Sequence, residues 1–66
     1  MELIINGEAR AFAAPLTLAQ LVETLSLVGK RIAIEKNGAI VPRSQYAETP
    51  LAENDRLEIV VAVGGG

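Results

Sequence analysis

The chain opens on a short, strand-like run, Met1 to Ile5, that closes on Asn6-Gly7, and Glu8 to Phe12 returns with mixed character. Asn-Gly between two such runs predicts a hairpin. A two-residue type I′ loop needs positive φ at both central positions, which Asn tolerates and Gly adopts freely. In strand geometry Met1, Leu3 and Ile5 share one face, while Glu2, Ile4 and Asn6 share the other. The period then changes. Thr17-Leu18-Ala19-Gln20 fits a capping box, in which the Thr hydroxyl and the Gln amide satisfy orphan backbone groups, and Leu16 and Leu21 are spaced as a hydrophobic staple. Leu18, Leu21, Val22 and Leu25 recur at the three-and-four spacing of one helix face, and Gly29 is the expected C-terminal stop. That stripe is read as packing on a sheet.

Alternation resumes at Ile32 and Ile34, Asn37-Gly38 supplies a second tight turn, and Ala39 to Val41 returns as a short strand ended by Pro42. Arg43 to Asn54 is polar, contains Pro50, and reads as a long surface connection anchored to the core by Tyr46 and Leu51. Arg56 to Val63 is the strongest strand, with Leu57, Ile59, Val61 and Val63 on one face and Glu58, Val60 and Ala62 on the other. Two hairpins flanking one helix, followed by a final strand, give the order ββαββ, an α+β roll with the helix packed on one face of the sheet. The first and last strands are the most hydrophobic and are expected side by side at the sheet centre. A parallel central pair there puts the end of the chain beyond the sheet edge. The expected domain spans residues 1–63, followed by a reactive tail, residues 64–66.

Composition narrows what such a domain can do. At 66 residues it buries only about 60% of the surface its unfolded chain exposes, and its core supplies no more than about 3 to 5 kcal/mol. The chain has no cysteine and no histidine. A disulfide framework, a thiolate nucleophile, a cysteine-ligated metal and the usual general base are excluded together. A net charge of -2 and only two aromatics, Phe12 and Tyr46, argue against nucleic acid as a partner. No apolar run approaches the length of a membrane span and no signal segment precedes the first strand, so a cytoplasmic protein without a membrane partner is the expectation. No metal site is expected. Glu53 and Asp55 read as a turn exposing charge, and Lys30 with Arg31 as solvated charge near a helix C-terminus.

Gly64-Gly65-Gly66 is a different kind of feature, because terminal glycines do not help a fold. They suit one task, the presentation of an α-carboxylate. Four residues from Val63 extend about 13 Å, far enough to enter a partner's active site, and no side chain obstructs a narrow channel. A carboxylate is a poor electrophile until it is activated, for example as an acyl-adenylate. The chain has no phosphate-binding loop, so that activation belongs to another protein, which would use the ATP.

The run Asn37-Gly38-Ala39-Ile40-Val41-Pro42-Arg43-Ser44-Gln45-Tyr46, with Thr49-Pro50-Leu51, Asn54-Asp55-Arg56-Leu57-Glu58-Ile59 and Val63-Gly64-Gly65-Gly66, closely resembles the ThiS family, the sulfur-carrier proteins of thiamin biosynthesis. The resemblance implies a β-grasp, ubiquitin-like fold. It also implies a cycle in which an E1-like enzyme adenylates the Gly66 carboxylate, a sulfur donor system fed by a cysteine desulfurase converts it to a thiocarboxylate, and thiazole synthase receives the sulfur. The chain is then a protein co-substrate and not an enzyme, binds no cofactor of its own, and carries the thiocarboxylate covalently. Gly65 and Gly66 are the indispensable positions, while Val63 and Gly64 fit the tail into the partner. Carriers for molybdopterin synthesis or tRNA thiolation, a protein modifier and an inert β-grasp interaction module share these features. Two positions depart from the family pattern: Asn54 stands where many relatives have Gly, and Lys36 where an apolar strand residue is common.

One surface call completes the reading. Ile4, Val60 and Ala62, outward-facing on the central strands, are expected to form an apolar stripe on the uncovered sheet face and to dock a partner.

Overall fold

A computed structural model describes residues 1–62. Val63, Gly64, Gly65 and Gly66, the expected end of the last strand and the tail, lie outside the described residues, as does the expected boundary at 63/64. The elements are β1 (Glu2–Ile5), β2 (Glu8–Ala11), α1 (Leu18–Thr24), β3 (Ile32–Lys36), β4 (Ala39–Val41), a 3-10 helix (Arg43–Glu48) and β5 (Arg56–Val61). Two hairpins and a final strand make five strands, so the order is ββαβββ, one strand more than ββαββ counts. The strands form one mixed sheet, β2-β1-β5-β3-β4, in which β1 and β5 are parallel and every other pair antiparallel. This is the β-grasp arrangement, with the first and last strands adjacent.

Both Asn-Gly turns take the expected backbone, Asn6 and Gly7 at φ 50 and 84, Asn37 and Gly38 at φ 52 and 88. Period-two alternation sends Leu3, Ile5, Ile34, Leu57 and Ile59 to the covered face, where they meet Leu18, Leu21 and Val22 of α1. Tyr46 and Leu51, the expected anchors, are buried in the same core.

A seven-residue helix is too short to persist alone, so its ends are fastened. Thr17 and Gln20 form the capping box: the Gln20 N–H donates to Thr17 Oγ1 at 3.2 Å and the Thr17 N–H to Gln20 Oε1 at 2.8 Å. The Leu18 N–H donates to the Thr49 carbonyl and the Leu51 N–H to the Leu16 carbonyl, both at 2.9 Å, stitching the long connection to the start of α1. The helix stops before Gly29. Ser26, at φ 59, takes the left-handed position after the C-cap Leu25, its N–H donating to the Glu23 carbonyl at 3.0 Å while the Leu27 N–H reaches the Val22 carbonyl at 2.9 Å. Leu27 packs against the core, which turns the chain early; Gly29, at φ 84, serves the next turn, where the Lys30 N–H donates to the Leu27 carbonyl at 3.1 Å.

Candidate functional site

The strand that leads to the tail is held on both edges. Along β3, β5 pairs from Leu57 opposite Lys36 to Val61 opposite Ile32, and the Ala62 N–H then donates to the Arg31 carbonyl at 2.8 Å. On the other edge β1 reaches only as far as Asn6, whose N–H donates to the Leu57 carbonyl at 2.9 Å before the chain turns back. The Asn6 side chain takes over from there. Its Oδ1 accepts from the Ile59 N–H at 2.8 Å and its Nδ2 donates to the Ile59 carbonyl at 3.1 Å, so one amide replaces a missing strand residue. Asn37 does the equivalent at the start of β5, where its Oδ1 accepts from the Arg56 N–H at 2.9 Å and its own N–H donates to the Arg56 carbonyl at 2.7 Å. Each Asn-Gly turn thus supplies both a hairpin and a side-chain clamp on β5. The hairpin role is local and readable from the sequence; the clamp depends on a strand about 20 or 50 residues away.

The surface around Ala62 is partly apolar and partly basic. Val60, 62% exposed, stands opposite Ala33 on the uncovered face, and Arg31, Ile32, Ala33, Arg43, Val60 and Ala62 line a cleft of about 220 Å³. A larger groove of about 430 Å³ lies between α1 and the 3-10 helix, with Val22, Leu27, Val28 and Tyr46 in its wall and Lys30 and Arg43 also lining it. Ala33, Arg43 and this groove escaped the sequence reading, since only the register across β3 and β5 brings them together.

The expected stripe of Ile4, Val60 and Ala62 is not continuous. Parallel pairing sets Ile4 beside Arg56, with Ala9 on its other side, and Val60 lies four residues further along β5, about 13 Å away. Arg56 and Glu58 occupy the intervening positions on the same face. Val60 and Ala62 belong together in the cleft at the end of β5; Ile4 belongs to a separate apolar spot with Ala9.

Asp55 is also not the exposed charge expected of it. Only 9% of it is exposed, and it sits at the opposite end of β5 from Ala62, seven residues or about 23 Å along the strand. Burial alone raises its carboxyl pKa. Hydrogen bonds from Asn37 Nδ2 at 3.0 Å and the Ala52 N–H at 2.8 Å, with the Lys36 ammonium 3.9 Å away, outweigh that and hold it below its ordinary value. Asn54, at φ 67, supplies the left-handed residue of the same turn, and the Lys36 ammonium reaches the sheet edge there as expected of its long stem. Glu53 caps the Glu2 N–H at 3.0 Å instead of facing a ligand. Among the described residues no group of three or more acidic side chains could hold a metal ion, and no helix is long and apolar enough to cross a membrane.

A domain with a clamped exit strand, no histidine or cysteine, and a glycine tail matches one family over nearly its whole length: the sequence model of the ThiS family covers residues 3–66. The chain belongs to the ThiS family. The sulfur carrier protein ThiS of Escherichia coli is 30% identical over 66 residues, 100% of each chain. A crystal structure of the thiamine biosynthesis protein ThiS from Geobacter metallireducens superposes with a TM-score of 0.84 over 100% of both chains at 26% identity. A protein named thiazole synthase from Paramagnetospirillum magneticum is 44% identical over all 66 residues of this chain, which spans 20% of that protein's length. ThiS family membership accounts for the agreement of fold.

Proposed function

We propose that this chain is a sulfur carrier of thiamin biosynthesis that works through the Gly66 carboxylate. The observation that carries this is the family match running through Gly66, together with end-to-end alignment on the Escherichia coli carrier, which lines up the two termini. In the first step a carboxylate oxygen of Gly66 attacks the α-phosphorus of ATP on an E1-like enzyme, and pyrophosphate leaves. Sulfur delivered at the sulfide level by a donor system that a cysteine desulfurase feeds then displaces AMP. One carboxylate oxygen departs with the AMP and one sulfur takes its place. The thiocarboxylate is a softer and stronger nucleophile than the carboxylate it replaces.

The chain acts as a co-substrate: it has no cysteine or histidine, and the activating chemistry belongs to the partner. Thiazole synthase is the proposed recipient. A longer protein of that name contains a segment similar to the whole of this chain, which supports the pairing. Val63, Gly64 and Gly65 thread the partner's channel, and Val60 with Ala62 docks beside its mouth.

Intact-mass measurement tests this. Incubated with an E1-like enzyme, ATP and a sulfide donor, the chain should gain the mass of one oxygen-to-sulfur exchange, and a chain lacking Gly66 should gain none. No exchange with an enzyme that demonstrably adenylates another carrier refutes the proposal.

A further inference from the structure

The end of the domain at which β5 finishes has a charge pattern that the apolar docking patch does not use. Lys30, Arg31 and Arg43 are half of the six Lys and Arg residues in a chain of net charge -2, and all three are exposed around Ala62. The fold holds them together. Arg31 precedes β3 and its carbonyl receives the Ala62 N–H at 2.8 Å. Arg43 follows β4, and its guanidinium donates to the Lys30 carbonyl at 3.1 Å, tying the two loops across the groove. Arg31 and Arg43 line the cleft that contains Val60 and Ala62, and Lys30 and Arg43 line the neighbouring groove.

Gathering three like charges is unfavourable within the domain. Among the described residues the one ion pair is Lys36–Asp55, at the other end of β5; Glu23 lines the groove with Lys30 and Arg43 but forms no ion pair with them. Any protein that takes up the tail to its last residue brings its own surface within about 13 Å of Ala62, hence against these three side chains. Covering them with an apolar or basic surface would leave desolvated charge unpaired. An acidic surface avoids this.

We infer that Lys30, Arg31 and Arg43 form a basic collar around the root of the tail, which recognises a carboxylate-rich rim at the mouth of the adenylating enzyme's tail channel. This rests on the carrier function proposed above. The collar acts at encounter, steering the tail toward the channel and fixing the rotation of the domain about it, and it takes no part in the chemistry. Glu35 and Glu58, two acids on the uncovered face, lie opposite each other in the sheet further from Ala62. They add negative charge away from the mouth and disfavour docking by that part of the face.

The test is ATP–pyrophosphate exchange by an E1-like enzyme from the same organism, with the whole chain as substrate, across about 0.05 to 0.5 M NaCl. Doubly substituted Arg31→Glu/Arg43→Glu should raise KM about tenfold at low salt with kcat unchanged, and the gap should close at high salt. Arg10→Glu makes a comparable charge change on exposed β2 and should stay within about twofold of the wild type. Circular dichroism checks folding; if losing the Arg43 bond to Lys30 disturbs the loops, Arg31→Glu alone should still raise KM about threefold. Equal KM values at low salt, or the same rise from Arg10→Glu, overturn the collar. If the collar variants are unaffected while deletion of Gly66 abolishes exchange, the collar fails and the carrier function stands. If the wild type itself supports no exchange, both fail.

Discussion

Replacing Asp55 by Ala should remove a large part of the stability of this domain while leaving the chemistry of the tail alone. The carboxylate accepts from Asn37 Nδ2 and from the Ala52 N–H and lies 3.9 Å from the Lys36 ammonium. Hydrogen bonds to a charged group are worth about 1.5–3 kcal/mol each. Ala52 and Asn37 are exposed residues that can regain water once the acceptor is gone, which holds the loss for the pair to the lower half of the sum. The ion pair adds little, because the Lys36 side chain keeps contact with solvent. The expected loss is about 2–3 kcal/mol, or about 10–20 °C in melting temperature for a domain of this size. That approaches the whole contribution of a core this small, about 3–5 kcal/mol.

Urea unfolding followed by circular dichroism measures this at pH 7, and repeating it in acid adds an independent check. The folded Asp55 carboxyl has a pKa below its ordinary value of 3.8, so the unfolded chain binds more protons between the two values and stability rises with pH there. The contribution is complete above the ordinary value and is lost as pH falls through the folded one. Asp55→Ala should therefore lose stability less steeply than the wild type below pH 4 or so. A variant within about 0.5 kcal/mol of the wild type at pH 7, or one with an unchanged acid slope, would show that the Asp55 clasp contributes nothing.

Three further substitutions probe other links. Asn6→Ala removes both hydrogen bonds to Ile59 and should cost about 1–2 kcal/mol, with faster amide exchange at Ile59 as the local signature. Ser26→Gly should stabilise by about 0.5–1 kcal/mol in thermal melts, since Ser26 holds φ 59 at the helix stop where glycine carries no Cβ penalty. Val60→Glu should fold and melt like the wild type yet be adenylated poorly at low carrier concentration, because Val60 is 62% exposed in the cleft with Ala62; unchanged adenylation kinetics would remove the docking patch.

Local signals were the legible ones. Asn6-Gly7 and Asn37-Gly38 specify their turns through backbone φ alone, and the Thr17–Gln20 box is complete within four residues, so neither needs the rest of the chain. The faces of β1, β3 and β5 follow from period two, which placed Leu3, Ile5, Ile34, Leu57 and Ile59 correctly in the core. What escaped depends on register between distant strands. Asp55 reads as a surface acid until Asn37, 18 residues earlier, is brought beside it. Ile4 and Val60 point to the same face, yet only the pairing of Ile4 with Arg56 reveals that they do not touch. Gly29 lost the helix stop to Ser26 because Leu27 had to reach the core, a tertiary demand that overrode local preference.

The placement of β5 links this fold to its proposed use. Had the tail followed an edge strand, one row of hydrogen bonds would separate it from a frayed end; here β5 has neighbours on both sides, and Asn6 extends the shorter one to Ile59. The last backbone bond among the described residues, Ala62 to Arg31, therefore fixes the position of Ala62 on the sheet. A partner that recognises Val60, Ala62 and the nearby cations then also determines where the terminal carboxylate begins its approach. Such a domain needs no catalytic side chain. In the proposed function its contribution to rate is positional: the loss of orientational freedom at Ala62 is met when the chain folds and not again at each encounter. Under the proposed function a chain of 66 residues without histidine or cysteine takes part in group transfer because the reacting atoms would lie at Gly66 and the remaining groups would belong to its partners.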